Sequence, residues 1–298
     1  MPKQKIADAL KSRRILVSDG AWGTFFQKKG LKPGECPDAW CLERPADVLD
    51  VAKSYVDAGA DMIETNSFGA NRYKLIHFGL EGKVSEINQA AARLSRQAAG
   101  DDRWVIASMG STGKMIMTGE VTADDLTAAF AEQAVALEKG GADAVCIETF
   151  SDIEEADAAI RAVKENTKLE IICTFTFERN PKGEYRTMMG VSPEDAVKAH
   201  VAAGAHISGC NCGNGIRGMI DVIRSMRTVD KTTPLLVHAN AGLPKNVNGV
   251  DIFPETPDEM ASQVRAIIDA GANIIGGCCG TTPEHIRAIR KVVDGLRA

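Results

Sequence analysis

The chain has 298 residues, 35 basic against 40 acidic side chains, a formal net charge of −5, 44% hydrophobic residues and only 5% aromatics. Mixed charge argues against a nucleic-acid or anionic-membrane footprint, and the scarcity of aromatics argues against a base-stacking surface. No uncharged apolar run approaches the ~18 residues of a membrane span. The start, MPKQKIADALKSRRILVSDG, has basic residues but no long apolar run and no small-residue cleavage site, so no secretory signal is expected.

The first strand is expected at Ile15–Ser18, and one phrase then recurs along the chain. It reads YVDAGADMIETNSF from 55, LEKGGADAVCIETF from 137, HVAAGAHISGCNC from 200 and IIDAGANIIGGCC from 267. Each is a helix end, a glycine suited to the left-handed position past a helix, a small residue, and a short apolar run of the kind buried in parallel sheets. With these as anchors, further strands are expected at Met62–Thr65, Trp104–Ser108, Ala144–Glu148, Glu170–Thr174, His206–Ser208, Leu235–His238 and Asn273–Gly276. Amphipathic stretches separate them at Pro45–Ala58, Ser85–Ala98, Ala123–Lys139, Ile153–Lys164, Pro193–Ala203, Ile216–Met226 and Pro257–Ala270, and Pro283–Leu296 follows the last. Eight strict strand–helix alternations predict a single-domain α/β (β/α)8 TIM barrel over residues 1–298. A doubly wound open sheet would need a phosphate-cradling glycine loop after the first strand. DGAWGTFF has the wrong glycine spacing and places bulky Trp22 where a phosphate must approach.

In such a barrel, chemistry sits on the loops at the carboxyl ends of the strands. Asp19-Gly20, the Glu64–Phe68 run, Glu148-Thr149, Gly209–Gly213, Asn240–Gly242 and Gly276–Gly280 all fall there. The eight cysteines stand at 36, 41, 146, 173, 210, 212, 278 and 279. A long chain without a signal, carrying two adjacent cysteines, reads as reducing and cytoplasmic rather than disulfide-bonded. Three thiols, Cys278, Cys279 and one from the sixth strand end, suggest Zn2+ with an open fourth position. Cys212 is the working choice from the sixth strand, and Cys210 is the alternative. Adjacent side chains of a regular strand face opposite ways, so Cys278 and Cys279 need a distorted, glycine-permitted turn to face one ion.

Three thiolates and Zn²⁺ sum to −1. That charge makes a poor Lewis acid, yet one that still holds a bound thiol deprotonated and nucleophilic. Thiol alkylation is therefore expected rather than hydrolysis. Asp19 and Glu148, opposite the thiols, suit a substrate ammonium. The plainer readings are a loop cap for Asp19 and a structural acid for Glu148. Cys146 and Cys173 read as core thiols. Cys36 and Cys41 read as loop thiols, with a second metal clip as the alternative. Of the histidines at 77, 200, 206, 238 and 285, His238 at the end of strand seven is the one of interest.

On these residues the chain resembles the homocysteine S-methyltransferase family, which includes betaine- and S-methylmethionine-dependent enzymes and the homocysteine-binding module of cobalamin-dependent methionine synthase. The motifs are DGAWGT (19–24), ETNSFGAN (64–71), IETFSD (147–152), GCNCG (209–213), ANAGLP (239–244) and GGCCGTTPEHI (276–286). The resemblance implies zinc on Cys212, Cys278 and Cys279. It also implies homocysteine held by Asp19, Gly20, Thr65 and Glu148, with Asn240 beside the site. The expected activity is methylation of homocysteine to methionine, a step of methionine biosynthesis. NAGLP followed by ETPDEMA looks more like the methionine synthase module than like the betaine enzyme. The sequence stops directly after the last helix, so the donor is expected from outside it, as a methylated corrinoid protein. A small onium such as betaine or S-methylmethionine is the alternative, with Trp22, Phe25, Phe26 and Trp40 as candidates for an aromatic cage. Two other classes remain: a non-catalytic zinc-binding partner of a corrinoid protein, and a barrel lyase with structural cysteines. No nucleic acid or membrane partner is expected.

Overall fold

The computed structural model describes residues 4–12, 15–247 and 250–296; the ends of the 1–298 span predicted as one domain lie outside it. Eight strands form one sheet: β1 (Leu16–Val17), β2 (Met62–Glu64), β3 (Trp104–Gly110), β4 (Ala144–Phe150), β5 (Glu170–Phe175), β6 (Ile207–Gly215), β7 (Leu235–Asn240) and β8 (Ile274–Gly277). Every pairing is parallel, and the order runs β1-β8-β7-β6-β5-β4-β3-β2. Helices follow the strands, as the alternation predicts.

Among the described residues β1 and β2 are not paired as a ladder, and one backbone bond together with side chains stitches that seam. Asp61 N–H donates to Val17 O at 2.7 Å, and Val17 N–H donates to Asp61 Oδ2 at 2.9 Å. Arg290 Nη1, from the last helix (Pro283–Gly295), donates to the same Oδ2 at 2.9 Å. Higher up, Glu64 N–H donates to Asp19 Oδ2 at 2.8 Å. The eight strands thus make a nearly closed barrel.

Two apolar layers follow from the period-two alternation of strands. Leu16, Met62, Ile106, Cys146, Ile172, Ile207, Leu236 and Ile274, one from each strand, fill the barrel with Ile6, Ala9 and Leu10 of a short amino-terminal helix. Glu170 holds that helix, accepting Ile6 N–H at 2.7 Å and Ala7 N–H at 2.8 Å. The alternate residues, such as Val17, Ile63, Val145, Cys173, Cys210 and Val237, pack outward against the helices. The recurring phrase has its expected geometry: Gly59, Gly141, Gly204 and Gly271 have φ of 92°, 101°, 111° and 117°.

The third, fourth and seventh strands each run two residues past their expected ends, and three departures are larger. The sixth strand runs on to Gly215, seven residues past the expected end, with its register shifting between Asn211 and Gly215. The helix expected at Pro257–Ala270 is two, Pro257–Ala261 and Val264–Ala270. Ser262, where it breaks, turns its hydroxyl back onto Glu259 O at 2.6 Å, a local bond that competes with helix continuation. The long segment after β1 holds two short helices, Gly23–Lys28 and Trp40–Glu43.

Candidate active site: a thiol cluster over an acidic floor

Two residues above the apolar filling, the inward positions turn polar. Stepping up each strand gives Ser18, Glu64, Ser108, Glu148, Thr174, Gly209, His238 and Gly276. This layer lies beneath a cavity of about 390 Å³ at the carboxyl ends of the strands. Gly20, Thr65, Glu148, Cys212, Cys278 and Cys279 line it, as do Glu64, His238, Ser108 and Trp22.

The three sulfurs of Cys212, Cys278 and Cys279 lie within 4.8 Å of one another. Each backbone is bent to bring them there. Cys212 sits in the β6 irregularity at φ 56°, and Thr149 at the end of β4 has φ 62°, the two non-glycine residues at positive φ among those described. Such conformations persist only where the surroundings hold them, and here one side chain does so. Asn211 Oδ1 accepts from Thr149 N–H and from Thr174 Oγ1, each at 2.8 Å, while its Nδ2 donates to Thr149 Oγ1 at 2.6 Å. Cys278 and Cys279 lie just past β8. Cys278 N–H donates to Ala239 O at 2.7 Å, and Thr281 Oγ1 donates to Cys278 O at 2.7 Å. Ala21 N–H donates to that hydroxyl at 3.0 Å, tying the turn to the loop after β1. Gly280 closes the turn at φ +81°, and a Cβ there would stand 2.2 Å from Phe253.

Hydrogen bonds from Cys278 and Cys279 pull the Cys212 thiol down to about 3. The same contacts with Cys212 push Cys278 well up and Cys279 up to about 12. Three close sulfurs thus share one negative charge. Asn240, expected beside the site and to bind substrate, ends β7, and its side chain adds to the lowering of the Cys212 thiol.

The floor is a second cluster. One ligand atom each from Glu64, Glu148 and His238 lie within 4.8 Å of one another, and Glu64 Oε1 is 3.4 Å from His238 Nδ1. Burial raises Glu64 to about 8. Burial, then the charge of Glu64, raises Asp19 to about 7 and Glu148 well above its ordinary range. Burial lowers His238, so Glu64 and His238 face each other as neutral groups at pH 7. Asp19 is wholly buried behind Glu64. Its Oδ2 accepts from Trp22 Nε1 at 2.9 Å and from Glu64 N–H, and its Oδ1 accepts from Ser18 Oγ at 3.3 Å. Glu148 accepts from Ser108 Oγ.

The other cysteines keep apart from the sulfur cluster. Cys210 and Cys173 belong to the outer core and Cys146 to the barrel filling. Cys41 Sγ donates to Asn66 O at 3.2 Å, Cys36 lies 3.8 Å from Asp38 Oδ2, and no group of three metal-ligating side chains among the described residues includes either. Of the four aromatics suggested for a cage, Trp22 alone lines the cavity, joined by Phe68 and Phe78. Phe26 meets Trp40 edge-on at 5.1 Å, and Phe25 meets Tyr55 edge-on at 6.1 Å. Among the remaining histidines, His200 bonds Ser208, His206 accepts from Ile171 N–H, and His285 caps its helix.

The sequence places Glu64 and Asn211 in rim segments but assigns neither a role of its own. A signal for Glu64 exists: it is the inward residue two steps above Met62, level with Ser108, Glu148 and His238.

A barrel with a nucleophile cluster and perturbed acids at the carboxyl ends of its strands has the form of an α/β-barrel enzyme. The profile of the family described as Homocysteine S-methyltransferase matches residues 16–293, and the chain belongs to that family of methyltransferases. It is 30% identical to methionine synthase of Mycobacterium tuberculosis (strain ATCC 25618 / H37Rv) over 306 residues, covering 96% of this chain and 25% of that protein. Methionine synthase of Mycobacterium leprae (strain TN) is 31% identical over 302 residues, covering 95% of this chain and 24% of that protein. The chain therefore spans about a quarter of the length of these relatives. The crystal structure of the homocysteine methyltransferase MmuM from Escherichia coli, metallated form, superposes with a TM-score of 0.79 at 23% identity, covering 95% of this chain and 98% of that one. The likeness bears on the fold. Among the described residues, no helix is long and apolar enough to cross a membrane.

Proposed function

We propose that this chain is a zinc-dependent homocysteine S-methyltransferase that forms methionine. The observation that carries the reading is the convergence of three sulfurs, from β6 and from the turn after β8, above an acid-floored cavity. Thiolates on one zinc at about 2.3 Å stand roughly 3.8 Å apart, and sulfurs within 4.8 Å of one another fit that spacing with small adjustment. Zinc held by Cys212, Cys278 and Cys279 would leave a fourth position for the substrate thiol and keep that thiol deprotonated and nucleophilic. The floor cluster of Glu64, Glu148 and His238 has harder ligands, and it suits the ammonium end of the amino acid.

The protein's own contribution is placement. The floor acids fix the amino end, and Gly20 and Thr65 line the wall beside them. Tyr55 Oη donates to Ala21 O at 2.6 Å and Thr281 binds Ala21 N–H, so the loop after β1 is held against the thiol turn. Holding the thiol and its donor in attack geometry removes several kcal/mol of barrier.

The donor we favour is a methylated corrinoid protein. The likeness to methionine synthases about four times the length of this chain supports a donor carried on other protein. A small onium donor is the second reading, favoured by Trp22, Phe68 and Phe78 at the cavity wall.

The test combines metal analysis with a donor screen. Reduced protein is expected to hold one zinc per chain and to lose it in Cys279→Ala. Methionine formation from homocysteine is then measured with a methylated corrinoid protein, methylcobalamin, methyl-folate, betaine and S-methylmethionine. Absence of stoichiometric zinc, or full turnover in Cys279→Ala, defeats the assignment. Turnover on the onium donors alone selects the second reading. Zinc without turnover on any donor marks a non-catalytic partner.

A further inference from the structure

We propose that Asn211 is a positioning residue for the thiol centre: by bridging the bends of β4 and β6 it sets Cys212 as the third metal-binding sulfur. The inference rests on the zinc reading and concerns a residue to which that reading gives no part.

In the sheet, β5 lies between β4 and β6, so those two strands are not neighbours. Asn211, wholly buried in β6, nevertheless reaches across β5 to the end of β4. Its Oδ1 accepts from Thr174 Oγ1 of β5 and from Thr149 N–H of β4. Its Nδ2 donates to Thr149 Oγ1 and stands 3.5 Å from Glu148 Oε2. Both lone pairs and both N–H groups of the amide are thereby engaged. The main chain is held as well, since Asn211 O accepts from Thr176 Oγ1 at 2.9 Å.

These contacts fall where the ladders break. The β4–β5 register shifts between Ile147 and Phe150, and the β6–β7 register shifts between Asn211 and Gly215. In an unbroken strand Cys212 would face the same way as Cys210, outward against the helices. The left-handed turn at Cys212, φ 56°, brings its sulfur round to Cys278 and Cys279 instead. A cysteine does not adopt that conformation unaided. Thr149, at φ 62°, is bent in the same sense, and one amide holds both bends at once. Cys278 and Cys279 come from a single turn with its own ties. Cys212 is the sulfur that must arrive from elsewhere in the barrel, and Asn211 fixes where it arrives.

The experiment measures zinc affinity, by competition with a chelating dye, for the wild type, Asn211→Leu and Glu170→Ala. The thiolate-to-metal absorption of each Co2+-loaded protein is read alongside. Leucine keeps the shape of asparagine and loses all four side-chain contacts. Residues that orient a metal ligand from behind typically change metal affinity by about 10–100-fold, and Asn211→Leu should weaken zinc by that factor. Its Co2+ absorption should fall by about one third as one thiolate of three is lost. Glu170→Ala weakens the fold at the opposite end of the barrel and should hold zinc as the wild type does, which separates positioning from a general loss of stability. Wild-type affinity with an undiminished Co2+ band in Asn211→Leu overturns the inference and leaves the zinc reading intact. An equal loss of zinc in Glu170→Ala overturns it too. Should Asn211→Leu not fold, Thr174→Val takes its place: it removes one donor to the same amide and keeps the shape, a loss of about threefold is expected, and no loss overturns the inference. Wild-type protein that binds no zinc overturns both.

Discussion

Replacing Glu64 with glutamine should make the substrate-free protein more stable, increasingly so as the pH rises. Burial lifts the Glu64 carboxyl from an ordinary value of 4.5 to about 8. In the unfolded chain it ionises near 4.5. The folded state therefore holds a proton that the unfolded state has lost, and between those values stability falls by about 1.4 kcal/mol per pH unit. The penalty is absent below about pH 4.5, amounts to ~2 kcal/mol at pH 6 and ~4 kcal/mol at pH 8, and levels off above that. Glutamine has nearly the same shape and never ionises, so the penalty disappears with it. The advantage of the variant should thus widen by about 2 kcal/mol between pH 6 and pH 8, or ~4 °C in midpoint for a chain of this size. Urea unfolding of both proteins at pH 6, 7 and 8, without homocysteine, measures that difference. Asp19 and Glu148, which the charge of Glu64 also raises, are relieved in the variant and shift the difference in the same direction. A pH-independent gap, or a variant less stable than the wild type at pH 8, would refute the argument that the floor carries an electrostatic cost retained for binding.

Two predictions concern the scaffold under the site. A Cβ on Gly209 would stand 1.9 Å from Leu236 O, a backbone atom of the adjacent strand, so Gly209→Ala should cost about 3 kcal/mol and disturb the Cys212 arm. Thermal unfolding and zinc retention measure the two effects, and a fully stable, zinc-replete variant would show the barrel to be more compliant than its packing indicates. Glu170→Ala removes the acceptor for the Ile6 and Ala7 N–H groups and should destabilise the protein by about 1–3 kcal/mol without altering homocysteine affinity. A changed affinity would mean that the barrel bottom communicates with its top.

The barrel was legible because its signals are local and repeated. Each helix ends at a glycine and each strand begins two residues later, so the phrase could be read four times without knowing which strands pair. The thiol turn was legible for a similar reason: GGCCG places adjacent cysteines where no regular strand can continue. The acidic floor was harder to see. Glu64 stands next to Thr65, to which the family resemblance gave a role, and its importance depends on reaching the same height as Ser108 and His238 across the barrel. That height is a property of strand register, which one sequence does not print. The extension of β6 was hidden likewise. Asn211 steadies the positive-φ turns at Cys212 and Thr149 through contacts 37 and 62 residues away in the chain, so no window around GCNCG contains the cause.

The two clusters make more sense together than apart. Three thiols and three acids lie in and just behind one small cavity, and if all ionised their repulsion in that buried space would be prohibitive. The chain alone avoids this by keeping protons: one negative charge is shared over the sulfurs, and the acids titrate near or above neutrality. On the proposed function two cations would resolve it differently, a metal at the sulfurs and an ammonium at the floor, each replacing protons that the free protein must hold. A thiol without an amino group would then satisfy only the upper cluster, and an amino acid without a thiol only the lower. On the proposed function, selectivity for an α-amino thiol would follow from strands that hold a soft anionic cluster and a hard one at fixed heights in the same barrel mouth.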